Sequence, residues 1–176
     1  MLGYAGALCC LAGGTALGSW MRDRRLSRWR MLQAQLDMLG GMRLLLEQER
    51  PALPELLLQC AGYAGKGSGA DQAAQRLSAA AQMLLQSPME GIAGAYLSAC
   101  MQIPADWEKT EERAAMEQLF QQLGSGTAAM REQAVAACIR RLRPLEETAR
   151  REAEQGGRLC MQLGLLLGLM AGIAVW

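Results

Sequence analysis

Two charge-free runs enclose the chain: no Asp, Glu, Lys or Arg occurs from Met1 to Met21 or from Leu159 to Trp176. Between them apolar and charged positions alternate at helical spacing. Leu32, Leu36, Leu39, Met42 and Leu46 recur at threes and fours, which predicts an amphipathic helix over 31–49. Arg50-Pro51-Ala52-Leu53-Pro54 ends it, because proline disfavours helix in the residue before it. A short helix from Pro54 to about Ala64 follows, and then a loop at Gly65-Lys66-Gly67-Ser68-Gly69. A helix from near Asp71, capped by Ser68 or Asp71, should bury Ala73, Leu77, Ala80, Ala81 and Leu84.

Ser87-Pro88-Met89-Glu90 carries a cap, a first-turn proline and a capping-box glutamate, so a helix should start there and bury Ile92, Ala95, Tyr96 and Ala99. Pro104-Ala105-Asp106 should open another, with Trp107, Met116, Leu119, Phe120 and Leu123 inward and Gly124-Ser125-Gly126 as its end. A last helix from about Thr127 should bury Val135, Cys138, Ile139, Leu142 and Leu145. Pro144 should kink or divide it, and Gly156-Gly157 would be a joint to the final apolar run. No strand-like alternation is present. The expected fold is all-α: about six helices in an antiparallel bundle over 22–156, flanked by transmembrane helices over 1–21 and 157–176.

The flanking runs are read as spans from their length, since a helix needs about 20 apolar residues to cross a bilayer. Arg22, Arg24, Arg25, Arg28 and Arg30 follow the first run and Arg158 precedes the second. Basic residues beside a span stay cytoplasmic, so the central region should be cytoplasmic and both termini outside. A cleaved signal peptide fits poorly, because the positive charge comes after the apolar run. Glycines recur at fourfold spacing at Gly14 and Gly18 and again at Gly164, Gly168 and Gly172, a pattern that lets membrane helices approach closely.

Candidate chemistry is sparse. The chain has no histidine, which removes Ser-His-Asp catalysis and histidine metal sites. Its six cysteines are scattered without a CxxC and read as small buried apolar side chains. The Gly65–Gly69 loop is not a phosphate cradle: that pattern needs Gly at Cys60 and Ser or Thr at Gly67. No cofactor is expected. Net charge is only +1, which argues against nucleic acid. Glu47, Glu49, Glu108, Glu111 and Glu112 alternate with basic residues and read as solvated helix surface. Arg140, Arg141 and Arg143 are a candidate docking patch for an acidic partner surface or lipid headgroups.

Several motifs resemble the stage III sporulation protein AB family of endospore-forming bacteria. The closing run Gly157-Arg158-Leu159-Cys160-x-x-Leu163-Gly164-x-Leu166-x-Gly168-Leu169 resembles that family's ending, with Arg158 and Cys160 where Lys and Tyr are usual. Leu119-Phe120-x-x-Leu123-Gly124 and Leu53-Pro54-Glu55 resemble its turns, whereas Leu45-Leu46-Glu47-Gln48 and Thr127 depart from its pattern. The resemblance implies a platform similar to the F-type inner-membrane proteins of type II secretion and type IV pilus machines. It also implies a cytoplasmic secretion-type ATPase, stage III sporulation protein AA, and other membrane proteins of a channel complex as partners. The expected protein is then a non-enzymatic scaffold in the mother-cell membrane around the forespore. The platform of another secretion or pilus system, or a small membrane-bound enzyme, are the alternatives.

Overall fold

A computed structural model describes the backbone of all residues except 1, 49–50, 88, 90, 106, 126 and 175–176. Side-chain surroundings are described except at those positions and at 2–12, 14, 17, 125, 156–165, 167–169 and 171–174. The described chain is all-α, with helices α1 (Leu2–Gln48), α2 (Leu53–Ala61), α3 (Ser68–Gln86), α4 (Gly91–Gln102), α5 (Thr110–Ser125) and α6 (Ala128–Ala174). The predicted helix count holds. The expected flanking helices, however, are not separate elements, because each is continuous with its neighbour in α1 or α6.

Two compact units result. One combines Met1–Leu26 with Thr148–Trp176; the other is Ser27–Glu147. In the central unit, α2 packs on α3, α3 on α4 and α4 on α5. Its core is built largely from the apolar stripes expected. Leu32, Leu39, Met42 and Leu46 of α1 are buried, as are Ala73, Leu77, Ala80 and Ala81 of α3 and Met116, Leu119, Phe120 and Leu123 of α5. Tyr96 of α4 stacks on Phe120 of α5, ring centroids 4.0 Å apart and planes 23° apart, and both rings are buried.

Four local expectations bear on the helix bounds. Pro144 does not divide α6, which runs on without interruption. Proline gives up only one backbone bond there, and its position is exposed to solvent. Gly156-Gly157 lie within α6, so the last helix continues into the final apolar run, as the expected joint allows. Third, α4 begins at Gly91, after Ser87 has closed α3 through its N–H to the Met83 carbonyl at 2.7 Å. Pro88 and Glu90 lie outside the described residues. Finally, α5 begins at Thr110 and not near Pro104. There the Lys109 N–H bonds the Glu112 carboxylate at 3.1 Å, as the glutamate of a capping box does.

The glycine loop is more constrained than a connector. Gly67 has φ +126°, a conformation that side chains rarely adopt. It precedes α3, which starts at Ser68 and not at Asp71. At Gly69 an added Cβ would stand 2.0 Å from the Ser27 carbonyl oxygen of α1. Only glycine therefore lets the start of α3 lie against the α1 backbone. The hydroxyls of Ser27 and Ser68 meet beside it at 2.9 Å.

Candidate interaction surface

The charged residues of the central unit include two buried pairs, surface pairs and, among the described residues, a basic group without a carboxylate partner. Arg28 of α1 donates from Nε to Glu112 Oε1 of α5 at 2.8 Å, and its Nη2 approaches the same oxygen at 2.5 Å. Their side chains are 7% and 3% exposed. Arg76 of α3 donates to Glu108 at 2.8 Å and to the Ile103 carbonyl at 2.8 Å. Burial opposes the charge on Arg76, but the hydrogen bond and charge of Glu108 outweigh it and raise its pKa above the usual value. Glu108 and Glu112 are thus not solvated surface, as their spacing suggests. Arg28 is likewise not a free charge beside the first apolar run. These bonds tie α1 to α5 and α3 to the segment before α5.

The other residues singled out in the sequence are placed as follows. Arg22 is exposed and Arg25 half-buried. Arg24 lies over the Trp20 ring, 4.6 Å from its centroid. The Arg30 side chain lies along Gly67, with Cδ 3.1 Å from where a Cβ would stand. Gly18 is buried. The surroundings of Gly14, Arg158, Gly164, Gly168 and Gly172 lie outside the described residues. Cys60, Cys100 and Cys138 are free and buried. Burial pushes the thiols of Cys60 and Cys138 up to about 12, consistent with apolar packing. Among the described residues, no group of His, Cys, Asp and Glu could hold a metal ion.

Arg140, Arg141 and Arg143 are all exposed on α6. Arg141 donates to the Gln118 side chain of α5. Beside them a groove of about 700 Å³ runs along α6 with Gln122 of α5 on its wall. Met130, Gln133, Ala134, Ala136, Ala137 and Arg140 line it. A smaller hollow of about 60 Å³ continues between α5 and α6 and reaches Gln118 and Arg141. The structure thus joins two of the three predicted docking arginines to a concavity. Sequence reasoning missed the groove because its floor is alanine, which carries no distinctive pattern. A second cavity, of about 540 Å³, lies where Arg76, Glu108, Arg113 and Glu117 converge. Its cations and anions balance, so it presents no net field.

Among the described residues no helix is long and apolar enough to cross a membrane. Much of the expected spans, 1–21 and 157–176, lies outside the residues whose side chains are described. Leu166 and Met170, which are described, are 55% and 69% exposed one helical turn apart on α6.

The architecture is all-helical: a central unit held by buried ion pairs and a second unit made from the two chain ends. The chain belongs to the stage III sporulation protein AB family, whose sequence pattern it matches over residues 3–176. No curated protein and no solved structure matches it.

Proposed function

We propose that this stage III sporulation protein is a non-enzymatic, membrane-anchored scaffold in a secretion-like channel complex between mother cell and forespore. In this reading 1–21 and 157–176 cross the membrane together. The helical unit stays in the cytoplasm as a platform for a secretion-type ATPase.

The observation that carries the membrane reading is the outer surface of the terminal unit. In water, a pair such as Leu166 and Met170 would be turned inward. Their exposure in a segment without a charged residue is what a lipid environment favours. The gathering of both chain ends into one unit supports two spans that pack together. Trp20, 56% exposed and stacked by Arg24, suits the boundary between lipid and headgroups. Family membership supports the sporulation role.

Topology tests the first part. A cysteine at Lys66, on an exposed loop, should resist a membrane-impermeant thiol reagent in intact cells, whereas one appended after Trp176 should react. The opposite result refutes the orientation. For the platform role, the secretion ATPase of the same cells should co-purify with the full-length chain in mild detergent. Recovery of the other channel proteins without the ATPase would refute that role.

A further inference from the structure

We propose that the α5/α6 groove docks an acidic amphipathic helix of a partner protein. Carboxylates of that helix meet Arg140 and Arg141 while its apolar side chains fill the alanine floor. The proposal deepens the scaffold reading and rests on it.

Shape supplies the first part of the argument. From Met130 to Arg141 the groove follows about 16 Å of α6, or three turns. Ala134, Ala136 and Ala137 form a floor of small side chains, and Met130 stands beside it 60% exposed. Alanines leave room for side chains spaced i, i+3 and i+7 on an incoming helix, and methionine adapts to them. Gln118, Gln122 and Gln133 line the rim and offer both donors and acceptors.

Charge supplies the second. Arg43, Arg113 and Arg150 are each compensated one turn along, by Glu47, Glu117 and Glu154. Among the described residues no carboxylate lies within ion-pair distance of Arg140, Arg141 or Arg143. Arg141 bonds only a neutral amide, that of Gln118. No carboxylate lines either part of the groove. The end of an apolar concavity therefore carries positive charge with nothing to meet it, which complements an acidic partner. A second copy on the same face would offer the arginines no carboxylate, since none lines the groove among the described residues. A lipid surface is engaged by clusters of about four to eight basic residues, more than are present here, and offers nothing to fill a concavity.

The test places a photoreactive amino acid at Gln133 of the full-length chain in cells that assemble the complex, with Gln82 on the exposed face of α3 as control. The adduct is identified by mass spectrometry. The Gln133 probe should link to a helical segment carrying Asp or Glu at i and i+3 or i+4. Arg140→Glu with Arg141→Glu should cut the adduct at least fivefold, and Ala137→Leu should cut it similarly by filling the floor. Arg140→Lys with Arg141→Lys should retain most of it, which separates charge from misfolding. An adduct to lipid, to a second copy or to a neutral or basic segment overturns the proposal. So does no adduct, or a yield that charge reversal leaves unchanged. If no ATPase co-purifies with the native chain while the acidic-helix adduct persists, the platform reading fails and the groove stands.

Discussion

Replacing Glu112 with leucine should destabilise the central unit more than any change at an exposed charge. The substitution takes from Arg28, 6% exposed, the carboxylate that its Nε and Nη2 approach. Breaking a buried pair from one side costs about 3–5 kcal/mol, because the charge that remains stays desolvated. Glu112 also accepts the Lys109 N–H at the start of α5, and losing such a cap costs about 1 kcal/mol more. The sum lies near the top of that range, against a whole-domain stability of about 5–15 kcal/mol. At about 2–4 °C per kcal/mol for a chain of this size, the melting midpoint should fall roughly 10–20 °C. The double variant Arg28→Met/Glu112→Leu removes both charges and substitutes apolar contacts. It should recover to within about 2 kcal/mol of the native chain. Thermal and urea unfolding of the full chain in mild detergent, followed by circular dichroism at 222 nm, measures both. A single variant within about 1 kcal/mol of native would refute the buried-pair assignment. So would a double variant no better than the single.

The glycines give a graded series in the same assay. Gly69→Ala drives a methyl into the Ser27 backbone and should cost about 3 kcal/mol. Gly41→Ala meets only the half-exposed Tyr63 ring and should cost far less. Gly40→Ala meets nothing within 4 Å and should stabilise by about 0.5–1 kcal/mol. Cys60 and Cys138, with thiols pushed up to about 12 by burial, present far less thiolate than an ordinary cysteine. Peptide mapping after brief alkylation at pH 8 should find both unmodified in the folded chain and modified in urea; rapid native labelling would contradict their burial. Asp37 has a raised pKa, from burial and then from the like charge of Glu146. Its folded form holds the proton more tightly than the unfolded chain. The ionised carboxylate therefore costs stability at neutral pH, and that penalty fades as pH falls through the folded pKa. Asp37→Asn should raise the melting midpoint at pH 7 and lose its advantage in acid. An advantage that grows toward low pH would show the sign to be wrong.

Most of the fold was legible because helix formation is a local event. The leucine and methionine spacing of 31–46 and the Met116–Leu123 stripe each lie within a few turns, and each is buried as its period requires except at Leu36, which is half-buried. Boundaries were less legible. Pro104 and Pro144 are strong local punctuators, yet α5 starts at Thr110, where Glu112 supplies the cap. α6 passes through Pro144, where the lost bond lies on the solvent side. The basic end of the candidate groove was visible as Arg140-Arg141-x-Arg143. Its floor was not, because alanine is equally at home in a core, on a surface and in a groove.

By itself the sequence determined the helical class, the inward faces, the charge-free ends and the family. These depend on side chains within one or two helical turns of each other, or on composition. Only the tertiary structure decided which charges are solvated. Arg28 and Glu112 are 84 positions apart, and nothing near Glu112 distinguishes it from Glu111, which stays exposed. Tertiary packing likewise decided that Gly69 is a contact point and Gly40 is not, since a missing Cβ matters only where another backbone arrives. Helical periodicity encodes which face turns inward, but not which residue of a distant helix will meet it there.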